Sequence, residues 1–67
     1  MTTDELLSDL RESETDLVRV IEAVVHDRLP YIVVSSHAVK AWKQREPHHF
    51  AKVAGWLAAR NVAIVQV

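Results

Sequence analysis

At 67 residues the chain has room for one domain, and a domain this small buries only about 60% of its unfolded surface. It holds no cysteine, which excludes disulfides and thiolate metal sites and suits a reducing compartment. The net charge of −1 hides a division: residues 1–30 carry three basic against eight acidic side chains, whereas residues 31–67 carry five basic against Glu46 alone, with three of the four histidines.

Such asymmetry points to an anionic partner for the second half or to a second copy of the acidic half. It is equally compatible with neutralisation within the fold. The amino terminus, MTTDELL, lacks the basic and apolar regions of a signal peptide. Apolar runs fall far short of the roughly 18 residues of a membrane span. The expectation is a cytoplasmic protein that does not enter a membrane.

Thr2 and Glu5 form a T-x-x-E capping box, which predicts a helix from about Thr3. Leu6, Leu10, Leu17, Val20, Ile21 and Val24 then follow one helical stripe. The stripe is compatible with one long helix to about Leu29. Ser13 and Glu14 fall inside it, so a break is expected near Arg11–Thr15, and Ser13-x-x-Asp16 could cap a second helix. A wide apolar face on an acidic helix is core in a small domain or a dimer seam, so Leu6, Leu10 and Leu17 are candidate interface residues.

Leu29-Pro30 stops the helix, because proline lacks a donor and disfavours helical angles before it. Tyr31-Ile32-Val33-Val34 reads as a short strand whose lack of alternation predicts cover on both faces. Ser35 or Ser36 can cap a helix to about Arg45, with Ala38, Ala41 and Trp42 inward and Lys40, Lys43 and Gln44 outward. Pro47 suits the first position of the next helix. In it, Phe50, Val53, Ala54, Leu57 and Ala58 mark the buried face, and Asn61 suits a left-handed closing residue. Val62–Val67 is a second strand. The result is one α+β domain: an acidic helical segment over residues 1–30, then a basic strand–helix–turn–helix–strand unit over 31–67. Two strands alone make a poor sheet, so a partner strand from another chain is a further possibility.

The stretches SSHAVKAW, REPHHFAKVAGWLAARN and VAIVQV, with a strand on either side of the helix pair, resemble the winged helix-turn-helix superfamily. The resemblance covers residues 31–67 and is one of pattern. It implies that the second helix of the pair enters the DNA major groove and that the last strand begins a wing. The wing's return strand and the turn's usual glycine are absent. The resemblance carries over Lys40, Lys43, Arg45, His48, His49 and Lys52 as DNA contacts, in a small regulator or accessory DNA-binding protein. The face that should read bases holds His48, Lys52, Gly55 and Ala59, with His49 and Trp56 at one flank. It has few of the Arg, Asn or Gln side chains that read base edges.

The rival reading is a protein-interaction module or homodimer. Ala51, Gly55 and Ala59 form a row of small residues that permits close approach, beside Trp56, a residue type enriched in binding hot spots. Dimerisation would use the first helix or an edge strand. A metal site is not expected, since adjacent His48 and His49 diverge by about 100° on a helix. Nor is catalysis: Ser35-Ser36-His37 lacks a geometry for nucleophile and base, and a serine at a strand-to-helix junction is normally a cap. No cofactor is expected.

Overall fold

The computed structural model describes residues 2–67. In chain order it contains α1 (Thr3–Asp9), a 3₁₀ turn (Leu10–Glu12), α2 (Leu17–Asp27), β1 (Tyr31–Val34), α3 (Ser36–Arg45), α4 (Pro47–Ala59) and β2 (Ala63–Gln66).

Thr2 caps α1, its Oγ1 accepting from the Glu5 N–H at 3.2 Å. The stripe of residues 1–30 is broken where Ser13 and Glu14 interrupt it: the chain tightens into the 3₁₀ turn and extends at Ser13 before α2 begins. Ser13 does not cap that second helix. Asp16 stands at its N-cap without a side-chain cap bond, its carboxylate accepting instead from the Trp42 indole N–H at 3.1 Å.

The break preserves the phase of the apolar face. Leu6, Leu10, Leu17 and Ile21 are all at or near zero exposure, and they join Val24, Ile32, Val39, Trp42, Val53, Trp56 and Leu57 in one core. The expected dimer seam along Leu6, Leu10 and Leu17 is therefore corrected: these side chains are consumed inside the monomer by α1 and α2 packing on α4.

β1 and β2 pair in parallel, Tyr31 opposite Ala63 and Val33 opposite Val65. α3 and α4 form the crossover between them. A wing needs an antiparallel return, so the parallel register removes the basis of the winged-helix comparison. The α+β class and the order of elements stand. The expectation that both faces of the sheet are covered is also corrected. Ile32 is buried, but Tyr31 (53%), Val33 (57%), Val65 (41%) and Val67 (76%) are exposed. The helices cover one face of the sheet and leave the other open.

Ser35 caps α3, accepting from the Ala38 N–H at 3.0 Å, and Pro47 occupies the first turn of α4. Asn61 adopts the left-handed conformation, with φ 58°. Arg28, which closes α2, does the same with φ 51°. Among the described residues no helix is long and apolar enough to cross a membrane.

Candidate nucleic-acid interface

The basic residues of the second half divide into those held by the fold and those left to solvent. Lys52 is held: its Nζ donates to Asp9 Oδ2 at 2.8 Å, tying α4 to α1. Arg60 is held too, donating to Thr3 Oγ1 at 2.6 Å with its guanidinium 4.3 Å from the Trp56 ring centre. His49 is half-buried, with Nδ1 3.2 Å from Glu46 Oε2.

Lys40, Lys43, Arg45 and His48 are exposed and, among the described residues, make no ion pair. Helical spacing explains the grouping of Lys40, Lys43 and Arg45 on α3. Val39 and Trp42 turn the other side of α3 into the core. The remaining arc, at 100° per residue, carries Lys43, Lys40, Gln44, His37 and Arg45 in angular order. His37, Lys40, Ala41, Gln44 and Arg45 line one shallow depression of about 300 Å³. Lys43 lies on the α4 side of this arc, its Nζ 5.7 Å from the Phe50 ring centre, and Phe50 in turn stacks on Trp42 at 6.2 Å.

Glu46, the one carboxylate of residues 31–67, does not neutralise that arc. It forms the single-residue link between α3 and α4 and turns inward. Its side chain is 12% exposed and accepts from the Ser13 hydroxyl at 2.6 Å, the Thr15 hydroxyl at 2.5 Å and the Glu14 N–H at 3.1 Å. Donation by Ser13 and then Thr15 stabilises the anion and holds its pKa down at about 2. Glu46 thus serves as a clasp between the amino-terminal segment and the helix pair. Its charge is satisfied away from the basic arc.

α4 does not offer the reading surface that the helix-turn-helix pattern implies. Its outer face is His48, Ala51, Lys52, Gly55 and Ala59, with Arg60 at its end, and Lys52 and Arg60 are both committed. Trp56 is buried, and its indole donates to Thr3 Oγ1 at 3.1 Å. It is a core residue, so the interface anchored on Trp56 is corrected. Gly55 and Ala59 remain exposed, and a Cβ on Gly55 would meet nothing within 4 Å.

The arc on α3 was visible in the sequence as Lys40, Lys43, Gln44 and Arg45; His37 joins it by helical phase. No group of three His, Asp or Glu side chains that could hold a metal ion is found among the described residues. Comparison with known protein families, with characterised proteins and with solved structures returns no match.

Proposed function

We propose that the chain is a small, non-enzymatic DNA-binding protein that lays the basic arc of α3 against the duplex. The observation that carries this reading is the exposure of Lys40, Lys43 and Arg45 without carboxylate partners, while Glu46 is turned into the clasp. A helix of ten residues suits a major groove about 12 Å wide. Lys40, Lys43, Arg45 and His48 contact phosphates, which sets affinity and register. Gln44, on the same arc, is the side chain with the donor–acceptor pair that adenine presents in the major groove. His49 and Lys52 contribute little, being held by Glu46 and Asp9.

Titration of a duplex of about 20 base pairs at two salt concentrations tests the reading. Binding should weaken with salt, the log–log slope growing by about 0.9 for each phosphate neutralised. Lys40→Ala, Lys43→Ala and Arg45→Ala should each weaken binding and reduce that slope by about 0.9. Absence of binding at about 50 mM salt removes the proposal.

A protein-interaction role is the second reading, favoured by the open sheet face of Tyr31, Val33, Val65 and Val67. In that case the three cation substitutions leave the partner's affinity unchanged, and charged residues on the sheet abolish it.

A further inference from the structure

The parallel ladder leaves one edge of β1 free. The Pro30 and Val34 carbonyls accept from Ala63 and Val67 N–H at 3.3 and 3.0 Å, and the Ser36 N–H donates to the Val67 carbonyl at 3.0 Å. Peptide groups alternate in direction along a strand. Even-numbered residues of β1 therefore face β2, and Tyr31 and Val33 direct their N–H and C=O to the opposite edge. Among the described residues, no other element bonds to them there. Along that edge runs an open groove of about 680 Å³, walled by Asp16, Arg19, Val20 and Ala23 of α2 and floored by apolar side chains including Trp42.

We propose that this edge and the adjoining stripe of α2 form a two-fold interface with a second copy of the chain. An axis at Ile32 sets the two β1 strands antiparallel. Tyr31 of each copy then lies opposite Val33 of the other as a hydrogen-bonded pair. The peptide groups of these residues close four bonds, and the sheet becomes four-stranded, β2-β1-β1-β2. On its outer face each Tyr31 ring meets the second copy's Val33, an aromatic–β-branched cross-strand pair of the favoured kind.

The charges on α2 suit the same axis and argue for a second copy over an unrelated strand. Arg19, Val20, Ala23 and Asp27 share one arc of α2 with Asp16 at its N-cap, whereas Arg28 turns to the other flank, beside Thr3 and Trp56. Along this arc Arg19 and Asp27 stand on either side of a small apolar centre of Val20 and Ala23. A two-fold axis reverses the order in the second copy. Arg19 then meets Asp27 of the second copy and Asp27 meets its Arg19, with Val20 and Ala23 between. Asp27 Oδ1 lies 2.9 Å from His26 Nδ1. The second oxygen of Asp27 is kept for the contact with Arg19 of the second copy. The basic arc of α3 lies outside this surface, so the inference does not rest on the DNA reading.

Sedimentation equilibrium of the full chain, from about 10 μM to about 1 mM, tests it. The wild type should pass from one to two chains per particle. Arg19→Asp should weaken the dimer by about tenfold or more, because each substitution acts at two symmetric contacts. Adding Asp27→Arg should restore it to within about threefold. Val33→Lys, at a position exposed in the monomer, should abolish dimerisation with an unchanged far-ultraviolet circular dichroism spectrum. A wild type that stays monomeric overturns the proposal. So does a dimer indifferent to Arg19→Asp or Val33→Lys, failure of the charge exchange to restore it, or growth into open-ended polymers.

Discussion

Glu46 concentrates the polar interactions of this protein at one side chain. Three donors from residues 13–15 converge on its carboxylate, and hydrogen bonds to a charged group contribute more than neutral ones. Glu46→Gln should destabilise the chain by about 1–3 kcal/mol at neutral pH. The pH dependence has a definite sign. Folding lowers this pKa from 4.5 to about 2, so the stabilisation is complete above the unfolded value. It declines as pH falls from 4.5 towards 2 and is gone below. Urea midpoints of the two forms should converge across that window; a constant gap would show that the ionised clasp is not what stabilises. Little of this was legible in the sequence. Ser13 looked like a helix cap because its local spacing fits one, but its actual acceptor lies 33 residues away. Arg28 is a similar case, a left-handed closure at a residue type that does not signal one, whereas Asn61 does.

At the scale of elements, local chemistry was a good guide. Pro30 and Pro47, the Ser35 cap and the 3.6-residue stripes placed β1, α3, α4 and β2 to within a residue or two, and the Thr2 cap fixed the start of α1. Residues 1–30 fitted one long helix or two, and the second begins at Leu17, past the expected Ser13 cap. Face assignment on α4 was less complete, because a tryptophan between two apolar rows can turn either way. Trp56 turned inward to reach Thr3. The same helix contains a mid-helical glycine in open space. Glycine there costs conformational entropy with no packing gained, so Gly55→Ala should stabilise the protein by about 0.5–1 kcal/mol. Thermal unfolding measures it, and an unchanged or lower midpoint would show that the small side chain serves a contact made in solution. The strands were legible as strands but not in their mutual direction. Four β-branched or aromatic residues in a row fit a parallel or an antiparallel neighbour equally well. The bare outer face depends on what the helices leave uncovered, which no local pattern reports.

For the molecule as a whole, the opposite charges of its two halves invite the idea that electrostatic attraction holds them together. The contacts say otherwise. Among the described residues one Lys–Asp pair, Lys52 with Asp9, joins the halves, and both partners are about two-fifths exposed, so the pair contributes less than about 1 kcal/mol. The halves are held by the shared apolar core and by hydrogen bonds such as Trp42 to Asp16 and Trp56 to Thr3. Raising salt from about 0.05 to 0.5 M, which shortens the screening length severalfold, should therefore change folding stability by less than about 1 kcal/mol. Duplex binding should fall steeply over the same range. Parallel urea titrations and duplex titrations separate the two effects. A fold that weakens in step with binding would mean that the basic side chains are engaged internally. The candidate site was legible as a cluster of cations in the sequence; which of them remain free was settled by long-range partners, Asp9 and Thr3, that spacing along α4 does not reveal.

The crossover between the strands also has a history in time. Tyr31 leaves the ribosome well before Ala63, its neighbour in the sheet. At about 5–20 residues per second the delay is about 2–6 s. Throughout that interval the nascent β1 has neither of its flanks protected. A neighbouring nascent copy has that window in which to pair with it. Slower synthesis between the two strands lengthens the exposure of that edge, and aggregation during expression should rise with it.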